Sequence, residues 1–285
     1  MVNSVKIIEC PRDAMQGIKS HFIPTEAKAA YINSLLKVGF DTIDFGSFVS
    51  PKAIPQMRDT AEVLSKLDLS ATKSKLLAIV ANVRGANDAS QFEEIDYLGY
   101  PFSISENFQM RNTHKTIEQS IDTLKEVLAI ANRTNKEVVA YLSMGFGNPY
   151  GDPWSVEIVG EWTEKLSAFG VKILSLSDTI GSSTPEDIDY LFSNLISSYP
   201  QIEFGAHLHT TPAKWHEKVD SAFKAGCRRF DGAIKGYGGC PMAKDELTGN
   251  MPTEKLLSYF TANKVTTNIK PMSFESAYNK ALEVF

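Results

Sequence analysis

Short aliphatic and β-branched runs alternate with longer amphipathic segments along the whole chain, and eight such pairs can be counted. This alternation constrains the fold more than any single motif, because strand and helix in strict succession are the units of a parallel sheet. The strand runs fall at residues 5–10, 42–47, 75–81, 95–102, 137–144, 172–178, 203–209 and 229–234. Several are almost continuously apolar, as burial on both faces demands. Eight units without a composition break in 285 residues predict an α/β fold with a single domain, a closed (β/α)8 TIM barrel over residues 1–285. An open doubly wound sheet is the alternative, but it leaves the eighth strand at an edge.

The intervening segments carry helix signals. Residues 25–38 follow Pro24, with Thr25 as the expected cap, and residues 116–132 place Ile117, Ile121, Leu124 and Leu128 on one face. Helices are also expected at 155–169, 184–195 and 211–225, two of them opening on a Thr-Pro step that supplies a cap and a first helical residue. Gly39, Gly170 and Gly226 stand where a left-handed helix end is wanted. The tail after Asn268 reads as a closing helix, about residues 272–285, with Phe274, Tyr278, Ala281 and Val284 on its apolar face.

Composition excludes several function classes. With 43% apolar and 22% charged residues the chain matches a soluble globular protein rather than a disordered or collagenous one. Twenty-nine basic against 34 acidic residues leave a net charge of −5, which argues against nucleic acid as a partner. Cys10, Cys227 and Cys240 cannot all pair, so a reducing compartment fits. No secretory signal is legible at the N-terminus and no apolar run reaches the about 18 residues that span a bilayer, so the expected location is cytoplasmic, without a membrane partner.

In a barrel of this kind, chemistry sits at the C-terminal ends of the strands. Arg12 and Asp13 follow the first strand and Asp44 lies in the second. Asp178 ends the sixth, His207 and His209 end the seventh, and Cys240 and Asn250 follow the eighth. Alternate strand residues point the same way, their Cα atoms about 6 to 7 Å apart, so His207 and His209 can share one ion. Asp13 and Asn250 would add oxygen ligands, and such a mixed set suits Mg2+ or Mn2+ better than a structural zinc. Arg12 is placed to stabilise a developing enolate, or else to pair with Asp44. Asp178 is a candidate proton shuttle, with a helix cap or a partner of a histidine as its alternative. Gly236 to Pro241 is a glycine-rich stretch whose Cys240 can act as acid, base or nucleophile over the mouth. Cys10 and Cys227 read as packing residues, and His21, His114 and His216 have no partner at metal spacing.

These residues are set in motifs that resemble a known family. Pro11-Arg12-Asp13, SFVSPKAIPQM at 47–57, SDTIG at 177–181, HLH at 207–209, GGCP at 238–241 and TGN at 248–250 occur in the order found in 3-hydroxy-3-methylglutaryl-CoA lyases. Those enzymes belong to the metal-dependent TIM-barrel lyases and Claisen-condensing enzymes. The resemblance implies cleavage of an acyl-CoA substrate to acetyl-CoA and acetoacetate. It implies a divalent ion on Asp13, His207, His209 and Asn250, proton removal by Asp178, enolate stabilisation by Arg12, and protonation of the enolate carbon by Cys240. The chain departs from the family pattern at Ala14 for glycine, Asp44 for glutamate and Thr210 for aspartate. It also lacks the cysteines common after strand five. Related readings are a condensing enzyme for acetyl-CoA and a 2-oxo acid, a hydroxy-oxo acid aldolase, or an acyl-CoA-binding barrel without turnover. A homodimer is the expected assembly.

Overall fold

The protein, in the form of a computed structural model, is described over residues 4–239 and 248–285. Its eight parallel strands are β1 (Lys6–Glu9), β2 (Thr42–Ser47), β3 (Lys75–Ile79), β4 (Tyr97–Ser103), β5 (Glu137–Ser143), β6 (Ile173–Asp178), β7 (Glu203–Thr210) and β8 (Arg229–Gly232). Each pairs with its successor, and β8 pairs with β1, so the sheet closes without an edge. A ninth strand, β9 (Gly249–Asn250), runs antiparallel to β7 and was not legible as a strand in the sequence.

Around the barrel lie α1 (Pro11–Gln16), α2 (Thr25–Leu36), α3 (Thr60–Ser65), α4 (Val83–Ala89), α5 (Glu106–Thr113), α6 (Ile117–Arg133), α7 (Val156–Ala168), α8 (Pro185–Ser198), α9 (Trp215–Lys224), α10 (Thr253–Ala262) and α11 (Pro271–Val284). The local signals explain most of these starts. Thr116 and Gln119 form a reciprocal capping box at α6, as do Thr184 and Asp187 at α8, where Pro185 takes the first helical position. Two expected caps fail. Pro24 precedes α2 and Thr25 is already helical, its hydroxyl donating to Asp59 at 2.8 Å. The Thr211-Pro212 step does not start α9, because residues 211–214 form a turn closed by Lys214 N–H on Thr211 O at 3.1 Å and the helix begins at Trp215. Gly39, Gly170 and Gly226 all take positive φ between 100° and 103°, as a helix end requires.

Two cores result. A large one fills the space between strands and helices. A smaller one of Leu77, Ile79, Tyr97, Val139, Tyr141 and Ile173 lies inside the barrel, where a Cβ on Gly99 would meet Ile79, Leu77 and Tyr141 at 2.5 to 3.3 Å. The α11 helix buries Ala277, Ala281 and Val284 and packs on α2, while Lys270 N–H bonds Val38 O at 2.8 Å. No helix among the described residues is long and apolar enough to cross a membrane.

Candidate active site and metal centre

Pro11 starts α1 directly after β1, so Arg12 and Asp13 project from the first turn of a short helix at the mouth rather than from a loose loop. Arg12 is 7% exposed. Its Nε donates to both Asp44 oxygens at 3.2 and 3.0 Å, its Nη2 to Asp44 Oδ2 at 2.5 Å, and its Nη1 to Asp13 Oδ1 at 3.0 Å. The expected pair with Asp44 forms, and the side chain still lines the cavity. Burial opposes the guanidinium charge, but the two carboxylates outweigh it and hold the group well above its ordinary range. Burial pushes the Asp44 carboxyl up to about 6 against the pull of Arg12. Asp44 is wholly buried and is not among the residues that line the cavity; its contact is with Arg12.

Alternation along β7 brings His207 and His209 to one face, their rings 5.3 Å apart. His207 Nδ1 lies 3.0 Å from Asp231 Oδ2, and His209 Nδ1 lies 2.9 Å from Thr179 O. A carbonyl only accepts, so His209 carries its proton on Nδ1 and presents the Nε2 lone pair. That Nε2 is buried without a hydrogen-bond partner among the described residues. Burial and the neighbouring His207 push the His209 imidazole down to about 4. Burial works against protonation of His207 too, but the Asp231 contact overcomes it and raises that ring.

Asp13, His207 and His209 offer ligand atoms that all lie within 4.8 Å of one another. Burial opposes ionisation of Asp13, yet Arg12 and the histidines keep its carboxyl below the usual range. Asn250 arrives through β9, whose backbone pairs it with His209. Its Nδ2 donates to Asp13 Oδ2 at 2.7 Å and Tyr237 O at 2.8 Å, so its oxygen is the atom an ion would take. The stretch after β8 presses against α1: a Cβ on Gly238, at φ +84°, would meet Asp13 O at 2.7 Å and Ala14 Cα at 2.9 Å. Two imidazoles, a carboxylate and an amide distant in sequence are thus brought together beside a guanidinium. The unpartnered His209 Nε2 and the adjacent ionised Asp13 fit a divalent cation.

Asp178 is a correction. Ser177 and Thr179 line the cavity, so alternation sends Asp178 to the opposite face, where it is 1% exposed among the helices. It accepts from Lys218 Nζ at 2.6 Å and from the Ser183 hydroxyl at 2.5 Å. The same Lys218 ammonium donates to His209 O at 2.9 Å. Asp178 therefore acts through the His209 backbone and cannot reach a substrate hydroxyl as a base. Thr210 also faces away, its hydroxyl donating to Thr211 O at 3.0 Å. Cys240 lies outside the described residues, although Gly239 lines the cavity.

The cavity holds about 330 Å³, and Arg12, Asp13 and both histidines line it together with Ile79, Pro101, Phe108 and Tyr141, whose ring meets that of His207 edge-on at 5.5 Å. Sequence reading missed Gln16, which donates to Asp13 Oδ1 at 2.6 Å, and Asp231 behind His207. Asp231 had a signal: a carboxylate inside a strand of a closed barrel, beside Phe230 and Gly232, needs a buried partner. Gln56 of the PQM motif had none. It accepts from Ile23 N and donates to Ile18 O and His21 O, tying the stretch after α1 to the one after β2.

A family model described as HMGL-like matches residues 5–280. The hydroxymethylglutaryl-CoA lyase YngG of Bacillus subtilis is 34% identical over 260 residues, covering 91% of this chain and 86% of the relative. A crystal structure of the Bacillus subtilis HMG-CoA lyase superposes with a TM-score of 0.92 at 33% identity, covering 99% of this chain and 95% of the other. An HMG-CoA lyase from Acinetobacter baumannii, in complex with coenzyme A and 3-methylmalate, superposes with a TM-score of 0.90 at 28% identity, covering 99% and 91%. Pyruvate carboxylase carboxyl transferase domains share the fold alone, with a TM-score of 0.75 at 15% identity. With matches of this extent to lyases that carry the same barrel, the chain belongs to the HMGL-like family.

Proposed function

We propose that this protein is a divalent-metal-dependent carbon–carbon lyase that cleaves 3-hydroxy-3-methylglutaryl-CoA to acetyl-CoA and acetoacetate. The observation that carries the reading is the convergence of Asp13, His207 and His209 beside Arg12 on the cavity lining, with Asn250 bonded to Asp13 and paired with His209 behind them. Mg2+ or Mn2+ on those four residues would supply a Lewis acid for the substrate's hydroxyl and carboxylate oxygens. Transfer of the hydroxyl proton to solvent lets the bond between C2 and C3 break: the pair from that bond becomes the acetyl-CoA enolate, and C3 becomes the ketone of acetoacetate.

Arg12 lines the cavity and has one hydrogen on each of Nη1 and Nη2 beyond those given to Asp13 and Asp44, which would be available to a thioester oxygen entering there. A fixed cation at that oxygen favours the enolate over the neutral thioester. Asp44 keeps the fork from turning away. Cys240, next in sequence to the cavity-lining Gly239, is the proposed donor of the proton that the enolate carbon takes up. The acyl-CoA partner draws support from the coenzyme A complex of the Acinetobacter relative. A cytoplasmic location and a homodimer complete the proposal.

Acetoacetate release from 3-hydroxy-3-methylglutaryl-CoA, measured with Mg2+ or Mn2+, after chelation and after add-back, tests it. Release that stops on chelation and returns with the ion is expected. Release indifferent to chelator overturns the metal requirement, and turnover only of acetyl-CoA with a 2-oxo acid overturns the lyase.

A further inference from the structure

Cys10 stands between β1 and α1, 1% exposed, and the proposed mechanism has no use for it. Its backbone N–H bonds Gly232 O at 2.8 Å, which sets it beside the residue after Asp231 on β8. Cys10, His207 and Asp231 form a second group whose ligand atoms all lie within 4.8 Å of one another. His207 belongs to both groups. Its Nδ1 meets Asp231 Oδ2 at 3.0 Å, a separation close to that of two ligands on one tetrahedral ion. Asp231 is 3% exposed, and its Oδ1 has no hydrogen-bond partner among the described residues. A buried carboxylate oxygen left unpaired is costly, and a cation is what satisfies it.

We propose that Cys10, His207 Nδ1 and Asp231 form a second metal site beneath the catalytic one, selective for thiophilic dications of the zinc and cadmium class. A sulfur, a nitrogen and an oxygen donor suit such ions, whereas Mg2+ and Mn2+ prefer the oxygen-richer upper set. An ion held by Nδ1 replaces the proton that His207 shares with Asp231 and sets a second dication on the same imidazole, so it opposes binding of the catalytic ion above by charge repulsion. The lower site stands whatever the chain catalyses; only the competition rests on the function proposed above. Cys227 does not compete for this role, since its thiol faces Arg229 O at 3.2 Å and Phe204 O at 3.8 Å.

Cadmium titration of the full chain tests the site through the ultraviolet thiolate-to-cadmium charge-transfer band, with Mn2+ binding followed in parallel by electron paramagnetic resonance. The band should appear in the wild type and in Cys240→Ser and weaken by at least about tenfold in Cys10→Ser. Cadmium should weaken Mn2+ binding in the wild type but not in Cys10→Ser. Cys10→Ala provides the same comparison where serine disturbs folding. A band that persists in both Cys10 variants, or that disappears only in Cys240→Ser, overturns the site. Loss of lyase turnover alone bears on the proposed function, whereas the band alone decides whether Cys10 holds an ion.

Discussion

Arg12 shows how a single side chain can be both anchored and active. Asp44 takes the Nε and Nη2 edge of its fork and Asp13 takes a hydrogen of Nη1, while the side chain still lines the cavity, an arrangement that an ammonium cannot reproduce. Arg12→Gln should lower kcat about 10²- to 10³-fold, the scale for loss of one oxyanion-stabilising group, while Mn2+ affinity measured by paramagnetic resonance stays within a few fold. Near-normal turnover would remove Arg12 from the chemistry. Asp178 makes the opposite case. Asp178→Asn leaves the buried Lys218 ammonium poorly paired, so it should cost about 3 to 5 kcal/mol in denaturant unfolding and also weaken Mn2+ binding through His209. A base at that position would instead depress kcat with ion affinity intact. The rim assignment of Arg12, Asp13, His207 and His209 was legible because strand ends and the two-residue period are written in the sequence. The same period, applied from Ser177 to Asp178, would have turned Asp178 outward, and its partner Lys218 lies forty residues away where no local pattern announces it.

At the scale of elements, the stretch between β8 and α10 delivers Asn250, and its two ends are joined by a buried acid. Glu9, wholly buried at the end of β1, accepts from Ile234 N–H at 2.8 Å with one oxygen and from the Thr253 hydroxyl at 2.6 Å with the other. Burial, against the pull of these two bonds, pushes its carboxyl from 4.5 up to about 8. A raised folded-state value means the native protein binds this proton more tightly than the unfolded chain. The contribution is therefore full below about 4.5 and lost as pH rises towards 8. Glu9→Gln imitates the protonated acid, so the difference in melting temperature between variant and wild type should grow in the variant's favour from pH 5 to 8. Parallel melting curves across that range would dismiss the titration. Sequence reading gave Glu9 no role, because the stretch it braces begins more than two hundred residues later. β9 escaped for a related reason: two residues carry no periodicity, and only the pairing of Asn250 with His209 makes them a strand.

Across the whole molecule, barrel closure brings the first and last elements together, and this couples α11 to the metal centre. The helix is anchored at one end by Phe274, whose ring meets Phe40 edge-on at 6.5 Å. Beyond its other end, Phe285 stacks on Tyr237 at 4.5 Å and 23° while meeting Tyr31 edge-on at 5.9 Å. The carbonyl of that same Tyr237 accepts from Asn250 Nδ2, which in turn donates to Asp13. The stack therefore holds the backbone that aims the Asn250 oxygen. An aromatic pair contributes about 0.5 to 1.5 kcal/mol beyond its burial, which bounds the effect on the ion to about two- to tenfold. Phe285→Ala should weaken Mn2+ binding within that range. Phe274→Ala removes a comparable ring at the far end of the helix and should lower the melting temperature with Mn2+ affinity unchanged. Equal loss of ion affinity in the two variants would mean that α11 acts only through global stability, and no loss in Phe285→Ala would mean that Asn250 is held by Asp13 alone.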